Sequence, residues 1–453
     1  MIIQDVLGGF CGIQSQPSTT TDTKGHEEFD STLQFQEMRF VSAISVVVLI
    51  CGFAGAQQKT SDAERSVTVP AVIDHNRVVI NVEISLPDRS QQKIRAWVDN
   101  GNPDLYLSRR VATLLGLDVS CSDKECSSLP PKEISIGGMK IPLDGIKKTK
   151  IPLRPVSAAA VLALGMNAEM NIPSNVLRHY DVLVDFPEHK FSIGQPGSIR
   201  FLGSSTKVLI NSENGLIEVP STIENKKYNL GLDLGACISF LSEDLFDKLA
   251  IANPDWPHMT GAVGSANMWG ADEETNWKVM RLDRLQFGPL FLTDVAIVSL
   301  PKAIADFLEK RAGTPTVGIL GSNVMLNYRV GLDYAKSMVY FDIGRLFNFP
   351  DFDVIGLVLR PENDGRYTIL GVADFEGKPS VDGVQAGDSL LAVDGIPVHG
   401  ATMGQVWSML GGTSGQERAV TIERGGKEFH IVAHVQHFLA ALPEPEGGKK
   451  RRK

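Results

Sequence analysis

The chain repeats itself once. Residues 174–191 (SNVLRHYDVLVDFPEHKF) and 322–339 (SNVMLNYRVGLDYAKSMV) align at a constant offset of 148, which pairs Ser174 with Ser322, Asn175 with Asn323, Tyr180 with Tyr328, Val182 with Val330 and Asp185 with Asp333. Upstream, 133–141 (EISIGGMKI) matches 284–292 (RLQFGPLFL), each reading as a strand, a Gly-led turn and a strand. Further upstream, 93–108 matches 227–242. Each of these gives an alternating strand, an Asp-x-Gly turn and a second short strand, with a helix to follow at 109–115 and 243–250. Three blocks in one order, at a period of about 130–150 residues, are too long for a solenoid unit and predict a β-rich lobe present twice.

Composition supports that class. Of 453 residues, 43% are apolar and 21% charged, which excludes a wholly disordered chain, a multi-span membrane protein and a disulfide-dense miniprotein. The 43 Gly and 24 Pro point to many turns and to β structure. A net charge of −9 argues against a nucleic-acid partner.

The N-terminal region reads as a targeting signal. Arg39, the apolar run 40–54 and Ala54-Gly55-Ala56 make 38–56 a secretory signal peptide with cleavage before Gln57. The run is shorter than the roughly 20 residues of a spanning helix, and an uncleaved membrane anchor is the alternative. Residues 1–37 carry six acidic residues against Lys24 alone, the wrong sign for a signal, so Met38 reads as the true start and 1–37 as a mis-assigned upstream segment. Residues 57–66 read as a linker and 439–453 as a disordered basic tail. The expected location is periplasmic or secreted. There Cys121 and Cys126 would be able to pair, although spacing alone leaves that open. Cys237 reads as a small buried residue.

Each lobe places one Asp, Asp99 or Asp233, in a strand-terminal turn two residues before a Gly (Gly101 or Gly235). Asp-x-Gly is also an ordinary turn signal. Its recurrence at equivalent places, after an apolar strand and before a strand and helix, points instead to two turns meeting at a pseudo-twofold axis. Two carboxylates that close share a proton, so one acts as base on a water while the other donates to a carbonyl. There is no His-Glu-x-x-His, Walker loop, Gly-x-Ser-x-Gly or dinucleotide fingerprint. His430, His434 and His437 read as a strand face rather than a metal site, and the expectation is no metal and no cofactor.

Over residues 67–345 the chain resembles the retropepsin/pepsin-like aspartic proteases, particularly bacterial two-lobed members with a C-terminal PDZ domain. The resemblance rests on Asp99-Asn100-Gly101, on Asp233-Leu234-Gly235-Ala236, and on the later Gly318-Ile319-Leu320-Gly321, where the first lobe has Asn171-Ile172-Pro173. It implies a mainly β, duplicated two-lobed β-barrel fold, with lobes at 67–200 and 201–345. It also implies an endopeptidase in which Asp99 and Asp233 activate water, with Asn100, Gly101, Leu234, Gly235 and Ala236 shaping the loops. In the family a Thr or Ser after each Asp hydrogen-bonds across to the opposite loop; here Asn100 would replace part of that bonding and Leu234 would not. A catalytically degraded pseudoprotease that binds peptide or acts as a scaffold is the alternative. Both Asp residues lie in one chain, so a monomer suffices. Gly261–Asp272 is the candidate for a mobile cover over the pair, with a plain surface loop as the alternative and no counterpart evident in the first lobe.

Residues 352–438 start a different pattern, with strands at 366–373, 418–424 and 427–435 and a helix at about 402–410. With its run Gly387-Asp388-Ser389-Leu390-Leu391-Ala392-Val393-Asp394-Gly395 this stretch resembles a small α+β PDZ domain. The resemblance implies capture of an extended peptide as an added strand, with Gly356, Leu357 and Val358 on the binding loop and Val406 and Met409 facing the groove. Packing against the lobes alone is the alternative. The expected partner is therefore a polypeptide substrate or an extended peptide ligand.

Overall fold

The computed structural model describes residues 65–122, 126–152, 163, 165–302, 305–306, 310, 317–345 and 352–440. The signal and upstream-segment assignments, the linker as far as 64 and the tail from 441 lie outside the described residues; Ser66, at the end of the expected linker, already belongs to a strand, and Leu439, at the start of the expected tail, is buried. Among the described residues no helix is long and apolar enough to cross a membrane.

The fold is mainly β, and its two halves are built alike. In the first half β1 (Ser66–Asp74), β2 (Arg77–Ser85) and β3 (Gln91–Asp99) form an antiparallel meander. The β1–β2 turn puts His75 and Asn76 at φ 49° and 62°, the two left-handed positions of a tight hairpin. Next come β4 (Leu105–Tyr106), the helix Arg109–Leu114 capped by Ser108, β5 (Ser120–Cys121), β6 (Cys126–Ser128), the hairpin β7 (Glu133–Ile136) and β8 (Met139–Pro142), and β9 (Thr149–Ile151). Then β10 (Met170–Pro173) returns beside β3 in parallel, with Pro173 opposite Asp99. The half closes with β11 (Asp181–Asp185) and β12 (Lys190–Gly194).

The second half runs β13 (Ser204–Lys207), β14 (Leu209–Ile210), β15 (Ile217–Ile223), β16 (Lys226–Leu232) and β17 (Ser239–Ser242) into the helix Glu243–Ala252. Glu243 and Asp244 in its first turn complement the helix dipole. It continues with β18 (His258–Thr260), β19 (Lys278–Phe287), β20 (Leu290–Leu300), β21 (Gly318–Leu320), β22 (Tyr328–Asp333) and β23 (Met338–Ile343). Here β21 lies parallel to β16, as β10 does to β3, and β17 pairs with β20 as β4 does with β9.

The longest repeat block joins the halves. Its two copies, β11 and β22, pair antiparallel with Leu183 opposite Gly331, residues that are equivalent at the 148-residue offset. That pair therefore sits on the pseudo-twofold axis. On either side the order is β1-β12-β11-β22-β23-β13, so each lobe donates three strands to one shared sheet. Arg329 seals it with Asp185 at 3.2 Å. One apolar cluster runs through both lobes, from Val82 and Val98 to Leu232 and Leu320.

The C-terminal part has β24 (Asp353–Val354), β25 (Leu357–Pro361), β26 (Tyr367–Val372) and further strands at Ser389–Val393, Glu417–Arg424 and Lys427–His434. The helix Met403–Leu410 starts on a Thr402/Gln405 capping box. Arg424 grips Asp388 with two bonds of 2.7 and 2.6 Å, which ties the Gly-Asp turn to the sheet. β25 is the edge strand of this sheet. The core of this part is continuous with lobe 2: Phe240, Met259 and Val279 share one apolar cluster with Leu357, Ile369 and Val406.

Candidate active site

The two Asp turns meet. A Cβ built on Gly235 would lie 2.5 Å from Asp99 Oδ1 and 3.1 Å from Asp233 Oδ1, so the carboxylates face each other across that point. A Cβ on Gly101 would lie 2.0 Å from Asp233 Cγ. Each Gly is needed for this close approach of the opposite lobe's carboxylate, since any side chain would displace it. Asp99 is 6% exposed and Asp233 is half-buried.

One side chain clasps the loops together. Asn100, fully buried, donates Nδ2–H to Leu232 O at 2.7 Å, and its Oδ1 accepts Leu234 N–H at 2.7 Å. Its carboxamide thus satisfies a donor and an acceptor on both sides of Asp233. As the sequence suggests, Asn100 supplies its half of an interlobe clasp, making both bonds into the opposite loop. Leu234 is buried and aliphatic and returns none from its side chain; Leu234 O is instead held by Ser322 Oγ at 3.0 Å. The clasp is one-sided.

Lobe 1 adds a second support that the sequence did not reveal. Trp97 Nε1–H and Asn171 Nδ2–H both point to Asp99 Oδ2, at 3.2 and 3.3 Å. Trp97 lies two residues before Asp99 on β3, on the same face, while Asn171 reaches it from the parallel strand β10. Asn171 also accepts Tyr106 N–H at 2.7 Å and donates to Asp104 O at 2.9 Å, which fixes the far end of the Asp99 loop. The departure Asn171-Ile172-Pro173 from the second lobe's pattern therefore supplies a carboxylate partner.

In lobe 2 Asp233 takes Gly235 N–H at 2.7 Å. Its pKa is raised by burial, against the lowering effect of the Gly235, Ala236 and Gly101 amides and of the Arg77 charge. Arg77, 2% exposed, crosses between the lobes: its Nε–H donates to Gly235 O at 2.8 Å. Its other arm donates to His75 Nδ1 at 3.3 Å, and His75 Nε2–H donates to Gly264 O at 2.9 Å. Burial and the neighbouring guanidinium hold the His75 pKa down to about 3, so the imidazole is neutral and its tautomer is set by these two bonds. Cys237 is buried as expected, its thiol pushed up to about 11 by desolvation.

Gly261–Asp272 is neither a cover lying free nor a surface loop. Ala262, Val263, Ala266 and Asn267 are fully buried, within the core that lobe 2 shares with the C-terminal part. The reason is a polar anchor: Glu274, 0% exposed, accepts Asn267 Nδ2–H and Trp269 N–H, each at 2.5 Å. Desolvation pushes the Glu274 pKa up to about 8. The segment's flanking strands do have equivalents in lobe 1, where β5 pairs with β6 as β18 pairs with β19, but there a few residues bracketed by the Cys121–Cys126 disulfide stand in place of the long segment.

The residues expected to bind peptide on the C-terminal part are gathered together but not along an open channel. Leu357, Val358 and Val406 are fully buried and Met409 is partly buried against the same cluster. Gly356 O accepts Ala373 N–H at 2.8 Å, and a Cβ on Gly356 would meet Ser380 Oγ at 2.0 Å.

No protein-family model and no curated protein matches this chain. Among solved structures the chain is similar to the aspartic proteinase from Irpex lacteus. The two are 11% identical with a TM-score of 0.37, over 62% of this chain and 97% of that one. At that similarity the functional reading rests on the site itself.

Proposed function

We propose that the chain is an exported aspartic-type endopeptidase that hydrolyses peptide bonds with the Asp99–Asp233 dyad and an activated water. The observation that carries this is the pair of opposed carboxylates, each seated against the other lobe's glycine and held by the Asn100 clasp. Asp233, which burial favours in its protonated form, supplies the acid that polarises the scissile carbonyl. Asp99, accepting from Trp97 and Asn171, takes the proton from water as it attacks. When the tetrahedral intermediate collapses the C–N bond breaks, Asp99 passes its proton to the leaving amine, Asp233 recovers its own from the hydroxyl that becomes the carbonyl, and the dyad returns to its singly protonated state.

Export is supported by the signal-like run before Gln57 and by the Cys121–Cys126 pairing, which persists in an oxidising compartment. We read the C-terminal part as a PDZ-type module that takes an extended peptide at the β25 edge. The second reading, a peptide-binding pseudoprotease, is favoured by the one-sided clasp, because Leu234 brings no hydroxyl. Cleavage of an unbiased peptide mixture from acid to neutral pH, wild type against Asp233→Asn, separates the two. Cleavage by wild type alone supports the dyad, and silence from both folded proteins supports the pseudoprotease.

A further inference from the structure

The segment between β18 and β19 touches two places at once. Towards the dyad, Cys237 Sγ donates to Ser265 O at 3.0 Å, two residues past Gly235. Arg77, which holds Gly235 O, extends Nη2 towards Met268 O at 3.5 Å, and His75 bonds Gly264 O. Towards the C-terminal module, the Asn267 side chain accepts Leu359 N–H at 2.9 Å and donates to Leu359 O at 3.0 Å.

The second contact has a specific meaning. In an antiparallel pair the N–H and C=O of one residue point to the same side. Those of Leu359 point away from β26, off the free edge of the sheet. A primary carboxamide offers one acceptor and one donor in a plane, as a peptide group does, so Asn267 occupies the place where a backbone would add as a strand. The helix Met403–Leu410 is closed off too: Gly404 N–H donates to Asp74 Oδ1 at 3.0 Å, next to His75.

We propose that Gly261–Trp269 is an internal ligand of the C-terminal module, and that an extended peptide adding to the β25 edge displaces Asn267 and frees the segment from the dyad loop, so that peptide capture opens the cleft. The proposal rests on the proteolytic reading for its last step only. Coupling of this kind is reciprocal: occupancy of the cleft would loosen Asn267 and strengthen peptide capture by the same factor. A tethered segment competes at an effective concentration on the order of mM, so wild type binds a free peptide weakly.

The test uses a fluorescein-labelled synthetic peptide copying residues 261–269 (GAVGSANMW), wild-type protein and Asn267→Ala. Fluorescence anisotropy should show the variant binding the peptide at least about tenfold more tightly than wild type, because the internal competitor is lost. Hydrogen exchange of amides 261–269 and of Leu359 should be faster in the variant. In wild type, saturating unlabelled peptide should produce the same faster exchange across 261–269 and raise cleavage of a reporter peptide. Equal affinity for the two proteins, or exchange unchanged by peptide in wild type, overturns the proposal. The wild-type measurement decides alone where the variant does not fold. Exchange and affinity that move as expected with no cleavage in any sample would sink the proteolytic reading and leave the internal ligand standing.

Discussion

Lobe 1 and lobe 2 carry the same frame and the same Asp, yet each holds its carboxylate differently. In lobe 1 the support is local and made of side chains: Trp97 and Asn171 on Asp99, and Asn100 reaching across. In lobe 2 the support is backbone amide, at Gly235, together with a cation lent by lobe 1. The β5–β6 connection of lobe 1 and the β18–β19 connection of lobe 2 diverge in the same way. The first is short and covalently closed; the second is long and anchored on a buried acid. Duplication thus fixes where two carboxylates meet, while divergence divides the remaining tasks. One lobe locks the pair, and the other carries a segment that reaches the C-terminal module.

The largest effect expected falls on the dyad, where the lobes should be equal. Asp99→Asn and Asp233→Asn should each lower peptide cleavage by at least about 10³-fold, since groups acting as one unit fail together. An asymmetric loss, measured by single-turnover cleavage, would break the equivalence of the lobes. Gly101→Ala and Gly235→Ala come next. A methyl group 2.0 Å from Asp233 Cγ, or 2.5 Å from Asp99 Oδ1, displaces a carboxylate, and a misplacement of about 1 Å costs on the order of 10²-fold in rate. Activity that survives in either Ala variant would mean that the carboxylates need not face each other.

Asn100→Ala tests the one-sided clasp. It strands Leu232 O and Leu234 N–H in the interior and should destabilise the fold by roughly 2–4 kcal/mol in denaturant melts. Glu274→Gln tests the anchor of lobe 2 through pH. The folded pKa of Glu274, about 8, lies above the usual Glu value of 4.5. Its contribution to stability is therefore fully present below 4.5 and is lost as pH rises through about 8. Wild-type Tm should fall across that window, and the Gln variant should show a flatter profile; identical slopes would remove Glu274 from the account. The smallest effect belongs to lobe 1's loop. Replacing both Cys121 and Cys126 by Ser should cost less than the roughly 3 kcal/mol expected of a fifteen-residue loop, because so short a loop had little entropy to lose.

The sequence by itself determined the duplication, the lobe-forming strands, the Asp-x-Gly turns and the helices that follow them. These are legible because hydrophobic alternation, turn chemistry and caps act over a few residues, and because a shared sheet such as β11–β22 needs the same strand twice. Only the tertiary structure decided what surrounds the carboxylates. Asn171 stands 72 residues from Asp99, Arg77 158 from Gly235, and Asn267 92 from Leu359. An Asn or Gly-rich stretch read alone is turn chemistry, so 261–272 reads as a mobile cover or a surface loop and Asn171 as a lapse from a pattern. Whether such a residue solvates itself in water or satisfies a buried group depends on what the rest of the chain brings to it, and a buried polar group without a partner is too costly to leave unmet.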